Sequence, residues 1–160
     1  MNEIATCLWF ESEGEEAARF YCDLFPDSRI DSIHKAPMDW PGDNSGDTLL
    51  VEFTVRGRAM TALNGGPNAA HSMAMSLQIF TETQEETDRY WSALLADGGQ
   101  EMACSWLKDK WGVHWQIVPT VLMEGLRHSD ESVRLRANTA MQQMVKIDHA
   151  AVEAAIAGDV

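Results

Sequence analysis

Glu52 is the one acid inside the apolar run Leu49-Leu50-Val51-Glu52-Phe53-Thr54-Val55. A carboxylate facing an apolar cleft has a raised pKa and can act as a general base. Strand alternation puts Glu52 and Thr54 on one face, which is equally how the solvated side of a half-exposed strand reads. His114 lies in a second strand-like run, residues 113–118, two places before Gln116. Its imidazole could exchange a proton near neutral pH, or it could be a hydrogen-bonded core histidine. His71, beside the Gly65-Gly66 turn, and His34, at a strand end, read as surface groups, and His128 and His149 in the C-terminal stretch carry no assigned role. Cys7, Cys22 and Cys104 form no CxxC pair and read as reduced thiols rather than disulfides or zinc ligands. Of the six tryptophans, Trp9 and Trp91 suit a core, while Trp106 and Trp40 are candidates for stacking on a planar ligand. Lys108-Asp109-Lys110 reads as a solvated turn.

The elements that must position these groups come in two copies. Cys7-Leu8-Trp9-Phe10, Glu15-Glu16, Arg19-Phe20-Tyr21 and Leu24-Phe25 recur as Leu77-Gln78-Ile79-Phe80, Glu85-Glu86, Arg89-Tyr90-Trp91 and Leu94-Leu95, a constant spacing of 70 residues. Each copy predicts a short strand, a polar turn and an amphipathic helix, with Ala17, Phe20, Tyr21 and Leu24 inward in the first and Thr87, Tyr90, Trp91 and Leu94 inward in the second. Strands then follow: 30–34, 48–55 and 59–63 around a tight turn at Arg56-Gly57, and 100–103, 105–107 and 113–118 around a turn at 109–112. The terminal hairpins are spaced 54 apart instead of 70, which locates an insertion in the first copy, assigned to the Pro-, Gly- and Asp-rich residues 36–46, a surface loop or a lid. From Thr120 the pattern turns helical, with Ser129-Asp130-Glu131 as a start signal and Met141 and Met144 at core or subunit-interface spacing. The expected fold class is α+β: two βαβββ modules, 3–66 and 73–119, forming a curved mixed sheet around a cleft, with a helical tail over 120–157, all in a single domain of 160 residues.

With 25 acidic against 12 basic residues the formal charge is −13, a surface that repels phosphate backbones and anionic lipids, so neither nucleic acid nor membrane is an expected partner. No apolar run approaches the roughly 18 residues of a membrane span, and residues 1–6 lack the basic start and apolar stretch of a signal peptide. A cytoplasmic location is expected.

The duplicated module resembles the vicinal-oxygen-chelate superfamily, which includes glyoxalase I, extradiol dioxygenases and antibiotic-sequestering resistance proteins. Three segments resemble its PhnB-like branch, whose members are often labelled 3-demethylubiquinone-9 3-methyltransferase-like: Cys7-Leu8-Trp9-Phe10, Leu63-Asn64-Gly65-Gly66-Pro67 and the run Ser105-Trp106-Leu107-Lys108-Asp109-Lys110-Trp111-Gly112-Val113-His114-Trp115-Gln116-Ile117-Val118-Pro119. The chain has no Gly-rich loop after a first strand of the kind a nucleotide-type cofactor fold needs. Metal-dependent members of the superfamily draw four His, Glu or Gln ligands from the first and last strands of each module. The resemblance places the counterparts here at Thr6, Ala62, Ser76 and Gln116, of which only Gln116 could ligate, so no metal and no cofactor is expected.

Taking those positions as cleft-facing puts Thr6, Leu8, Phe10, Ser76, Gln78 and Phe80 in the cleft, with Met60, Ala62 and Asn64 on one side and His114, Gln116 and Val118 on the other, and turns Cys7 and Trp9 towards the helix. Two functions fit. One is a metal-independent enzyme acting on a small organic substrate through Gln116, His114 and Glu52, with Thr6, Leu8, Ser76, Gln78, Asn64 and Trp106 as binding residues. The alternative is a protein that binds or sequesters a small molecule without turnover; a third possibility is a vestigial cleft in an interaction module. The resemblance and the apolar tail both imply a homodimer.

Overall fold

The computed structural model describes residues 4–39 and 44–159, so Trp40 and the middle of the inserted loop lie outside the described residues. Two compact units meet in sequence between His71 and Ser72.

The first unit runs β1 (Thr6–Phe10), α1 (Gly14–Leu24), β2 (Arg29–Lys35), β3 (Thr48–Val55) and β4 (Arg58–Asn64). Its sheet has the order β1-β4-β3-β2, with β1 and β4 parallel and the other pairs antiparallel. The β3–β4 hairpin closes through Arg56 and Gly57, both at positive φ (46° and 80°), the turn whose twist matches that of the strands. Helix α1 buries Gly14, Ala17, Ala18 and Tyr21, followed by Phe25 just past its end. The expected Phe20 and Leu24 stay half-buried, because the small Gly14 and Ala18 let the helix approach the sheet on a slightly rotated stripe. Tyr21 stacks on Phe53 with ring centroids 6.5 Å apart, and fully burying side chains of this size stabilises by roughly 1.5–3 kcal/mol each. The described ends of the inserted loop pair with each other, Ala36 N–H donating to Asp47 O (2.8 Å) and Gly46 N–H to Ala36 O (2.9 Å).

The second unit repeats the plan with β5 (Leu77–Thr81), α2 (Gln84–Leu95), β6 (Gln100–Glu101), β7 (Trp106–Lys108) and β8 (His114–Pro119). The sheet order β5-β8-β7-β6, with β5 and β8 parallel, copies the first. Thr83 caps α2 by accepting from Glu86 N–H, and Thr87, Tyr90, Trp91 and Leu94 are its buried face, as the periodicity predicts. The tail forms α3 (Thr120–Leu126), α4 (Glu131–Gln142) and α5 (His149–Ala157). It has its own small core of Leu122, Ile147 and Val152, against which Met141 and Met144 pack. Backbone bonds from Cys104 N–H to Met144 O (2.9 Å) and Ser105 N–H to Val145 O (2.8 Å) join it to the residues just before β7. His149, given no role by sequence, is buried and links α5 to α2, its Nε2 lying 2.8 Å from Thr87 Oγ1.

The two copies are out of phase by one residue. Three residues separate β1 from α1, and two separate β5 from α2. A slip of one residue sends every strand side chain to the opposite face. Thr6, Leu8 and Phe10 are therefore buried on the helix side of the first sheet, together with Met60, Ala62 and Asn64, while Cys7 is exposed. In the second unit Ile79 and Thr81 face the helix, and Gln78 and Phe80 face away from it.

Candidate functional site

On the face of the second sheet turned away from α2, three neutral polar side chains form a chain. Gln78 and Gln116 are register partners on the parallel strands β5 and β8. Gln78 Nε2 donates to Gln116 Oε1 at 3.1 Å, and Gln116 Nε2 donates to Ser76 Oγ at 2.6 Å. Trp106 is the partner of Gln116 on the antiparallel strand β7, so its indole shares that face. His114, two residues before Gln116, alternates onto the same face beside Lys108 and is buried. Phe80 and Val118 continue the face in the other direction along the strands. The result is a strip of amides and one hydroxyl, flanked by an indole, an imidazole and a phenyl ring.

The first-module residues of the expected site occupy other places. Thr6, Leu8 and Asn64 belong to the helix-packed core, because of the one-residue phase difference. Asn64 is only 2% exposed and holds the fold together locally: its Oδ1 accepts from Gly14 N–H (2.8 Å) at the start of α1, which has no side-chain cap of its own, and its Nδ2 donates to Thr48 O (2.8 Å). Trp9 does not face the helix either; its Nε1 donates to Gly66 O (2.8 Å), and its ring lies so close to Gly65 that a Cβ there would stand 2.2 Å from it. A glycine is required at that position for steric reasons.

Glu52 is half-exposed, and Ser32 Oγ donates to its Oε2 at 2.5 Å with His34 Nε2 2.8 Å from the same oxygen. These contacts, the Ser32 hydrogen bond first and the His34 contact second, hold its carboxyl below the ordinary glutamate range. The raised pKa that a general base would need is replaced by a shift in the opposite sense. His71, expected on the surface, is half-buried with its ring edge-on to Phe10 at 5.7 Å.

The metal that the resemblance implies is tested by the donor set. Ser76, Gln78 and Gln116 are neutral, and Gln116 Oε1 already accepts from Gln78. Thr6 Oγ1 accepts from Arg58 Nε at 3.2 Å, which places a guanidinium cation against it, and Ala62 has no donor atom. Among the described residues no group of three His, Cys, Asp or Glu side chains could hold a metal ion. A hydroxyl–amide pair beside one committed amide does not fit a divalent ion, which takes carboxylate, imidazole or thiolate ligands.

Sequence reasoning missed Asp109. It is buried, accepting from Trp111 N–H and Val113 N–H (both 3.0 Å) through Oδ1 and from Trp115 Nε1 (2.9 Å) through Oδ2, and so builds the turn that places His114 and Gln116. The signal that could have found it was an Asp three residues before Gly112, a spacing suited to an Asx turn.

Comparison with known proteins agrees with this architecture. The sequence model of the family described as 3-demethylubiquinone-9 3-methyltransferase matches residues 2–118. The structure of the PhnB protein from Bacillus cereus is 34% identical, with a TM-score of 0.64, over 74% of this chain and 99% of that one. A protein from Pseudomonas aeruginosa is 18% identical with a TM-score of 0.61, over 74% of this chain and 98% of that one. The fosfomycin resistance protein FosX from Listeria monocytogenes, complexed with Mn(II) and sulfate, shares the fold at 11% identity and a TM-score of 0.51, over 86% of this chain and 97% of that one. No protein of curated function matches the chain. The chain belongs to the PhnB-like family described as 3-demethylubiquinone-9 3-methyltransferase.

Proposed function

We propose that the protein binds a small polar organic molecule, without a metal ion, on the second sheet's Ser76–Gln116–Gln78 strip, and holds it without turnover. The observation that carries this reading is the hydrogen-bonded amide pair at register positions of two parallel strands, with Trp106 beside it. Amides and a hydroxyl offer donors and acceptors of fixed direction to a neutral ligand, and the indole offers it a planar face. The same groups are poor proton-transfer catalysts at neutral pH, and Glu52 is held ionised by Ser32 and His34. FosX from Listeria monocytogenes is described with Mn(II); the neutral donor set here supports a different mode for this chain.

A metal-independent enzyme is the second reading, favoured by one observation: His114 shares the face of Gln116 two residues away and could move a proton there. In that case Gln116 would orient the substrate and His114 would act as acid or base. The two readings separate in one experiment. A thermal-shift screen of small organic molecules is run on wild type and Gln116→Ala, and each hit is then assayed for product. Binding requires a saturable shift that Gln116→Ala abolishes, with no product over many protein equivalents. Product formation lost in His114→Ala would replace it with catalysis.

The reading includes a cytoplasmic homodimer. The charge of −13 and the exposure of Leu135 and Val145 on the tail support it, and no helix among the described residues is long and apolar enough to cross a membrane. Light scattering in solution gives the mass; a monomer at micromolar concentration would remove the dimer from the proposal.

A further inference from the structure

Beyond the amide strip, the exposed face of β5 leads into a cavity. Phe80 follows Gln78 by two residues on the same face, about 7 Å along the strand, and is 43% exposed. With Thr120, Met123, Glu124 and Arg127 of the segment covering α3 and its end, it lines a pocket of about 460 Å³. That volume lies in the range of small-molecule sites. Phe80 and Met123 give the lining its apolar part, and the exposed Glu124 and Arg127, three residues apart, give its rim one anion and one cation. No ion pair joins Glu124 to Arg127 within 4.0 Å or joins either to another described residue. The Thr120 hydroxyl is already committed, donating to Glu82 Oε2 (2.9 Å) and Thr81 O (3.3 Å), which brings a second carboxylate near the rim.

Charge complementarity selects the occupant. A plain carboxylate would meet Arg127 but be repelled by Glu124 and Glu82, in a chain already carrying −13. A plain amine would leave Arg127 without a partner and gain nothing from it. A zwitterion satisfies both rim charges, its carboxylate on the Arg127 fork and its ammonium on Glu124, and its side chain covers Phe80 and Met123. We propose that this pocket is a binding site for an apolar α-amino acid or a similar ammonium–carboxylate with an aromatic or aliphatic group. The site is separate from the amide strip and does not rest on its role.

The test uses the full chain and three probes: L-phenylalanine, 3-phenylpropionate, which has only the carboxylate, and 2-phenylethylamine, which has only the ammonium. Calorimetric titration at pH 7 should show saturable binding of phenylalanine and binding about tenfold or more weaker for each of the other two, the effect expected for losing one charged contact. Glu124→Gln, on α3, and Arg127→Gln, just past its end, are both exposed and should each weaken phenylalanine binding by a similar factor without changing the circular dichroism spectrum. Gln116→Ala should leave it unchanged, which keeps the outcome independent of the amide strip. No saturable heat with phenylalanine, or equal affinity for phenylalanine and either single-charge probe, overturns the proposal.

Discussion

Replacing Asn64 by alanine separates a structural role from a ligand-binding one. The side chain is 2% exposed and makes two hydrogen bonds of 2.8 Å, one from the Gly14 amide that opens α1 and one to Thr48 O at the start of β3. Alanine removes a helix cap, usually worth about 1 kcal/mol, and leaves a donor and an acceptor unsatisfied near the core at roughly 1–3 kcal/mol for a buried group. The small cavity can admit water and recover part of this, so the expected net loss is about 2–4 kcal/mol. Urea unfolding followed by circular dichroism measures it as a lower midpoint at unchanged slope. Asp at the same position keeps the acceptor for Gly14 and loses the donor to Thr48, and should lie between wild type and alanine. A loss under about 0.5 kcal/mol for Asn64→Ala would refute the helix-capping assignment and return Asn64 to the candidate ligand contacts.

Trp115→Phe deletes the indole donor to the buried Asp109 (2.9 Å) and should cost about 1–3 kcal/mol in the same urea assay, whereas Trp106→Phe, which makes no such bond, should cost less. Burial, reinforced by Asp23 and Asp31, pushes the Cys22 thiol up to about 11, so at pH 8 a thiol reagent should label the exposed Cys7 and leave Cys22 unmodified in the folded protein. Equal labelling of the two would contradict the packing of α1 on β3. Hydrogen bonds from Thr48 to Glu15 and from Lys146 to Asp88 depress both carboxyl pKa values. A depressed carboxyl contributes stability that is present above its unfolded pKa of about 4 and lost as pH falls through the folded value, so acid unfolding below about pH 4 should be less steep in Glu15→Gln and Asp88→Asn. Both groups are partly exposed, and solvent screening keeps the effect small.

The duplication and its sheet topology were legible because strand, helix and hairpin recur as composition patterns that tertiary packing did not override. Helix α2 followed its periodicity residue for residue, and Ser129-Asp130-Glu131 marked the α4 start, with Asp130 as the cap. The faces of β1 and β4 were misassigned for one reason: the β1–α1 connection holds one residue more than its counterpart, and a period of two turns that single residue into a full inversion. Periodicity carries no record of which face a helix covers. The second module needed no such correction: Ser76, Gln78 and Gln116 share one face as alternation predicted, and Trp106 joins it as the register partner of Gln116. Asp109 was hidden because flanking lysines make a buried turn look like a solvated one, and the Glu124–Arg127 pocket because it depends on α3 meeting the end of β5, a contact between distant segments.

The measurement that bears most directly on a metal-free amide strip is ligand stabilisation with and without a chelator. For any molecule that raises the unfolding temperature of wild type and whose shift is not lost in Arg127→Gln, the shift should persist in EDTA, be unaffected by added Mn(II) or Zn(II), and vanish in Gln116→Ala. A shift that appears only when a divalent ion is supplied, or that survives Gln116→Ala, would contradict the account.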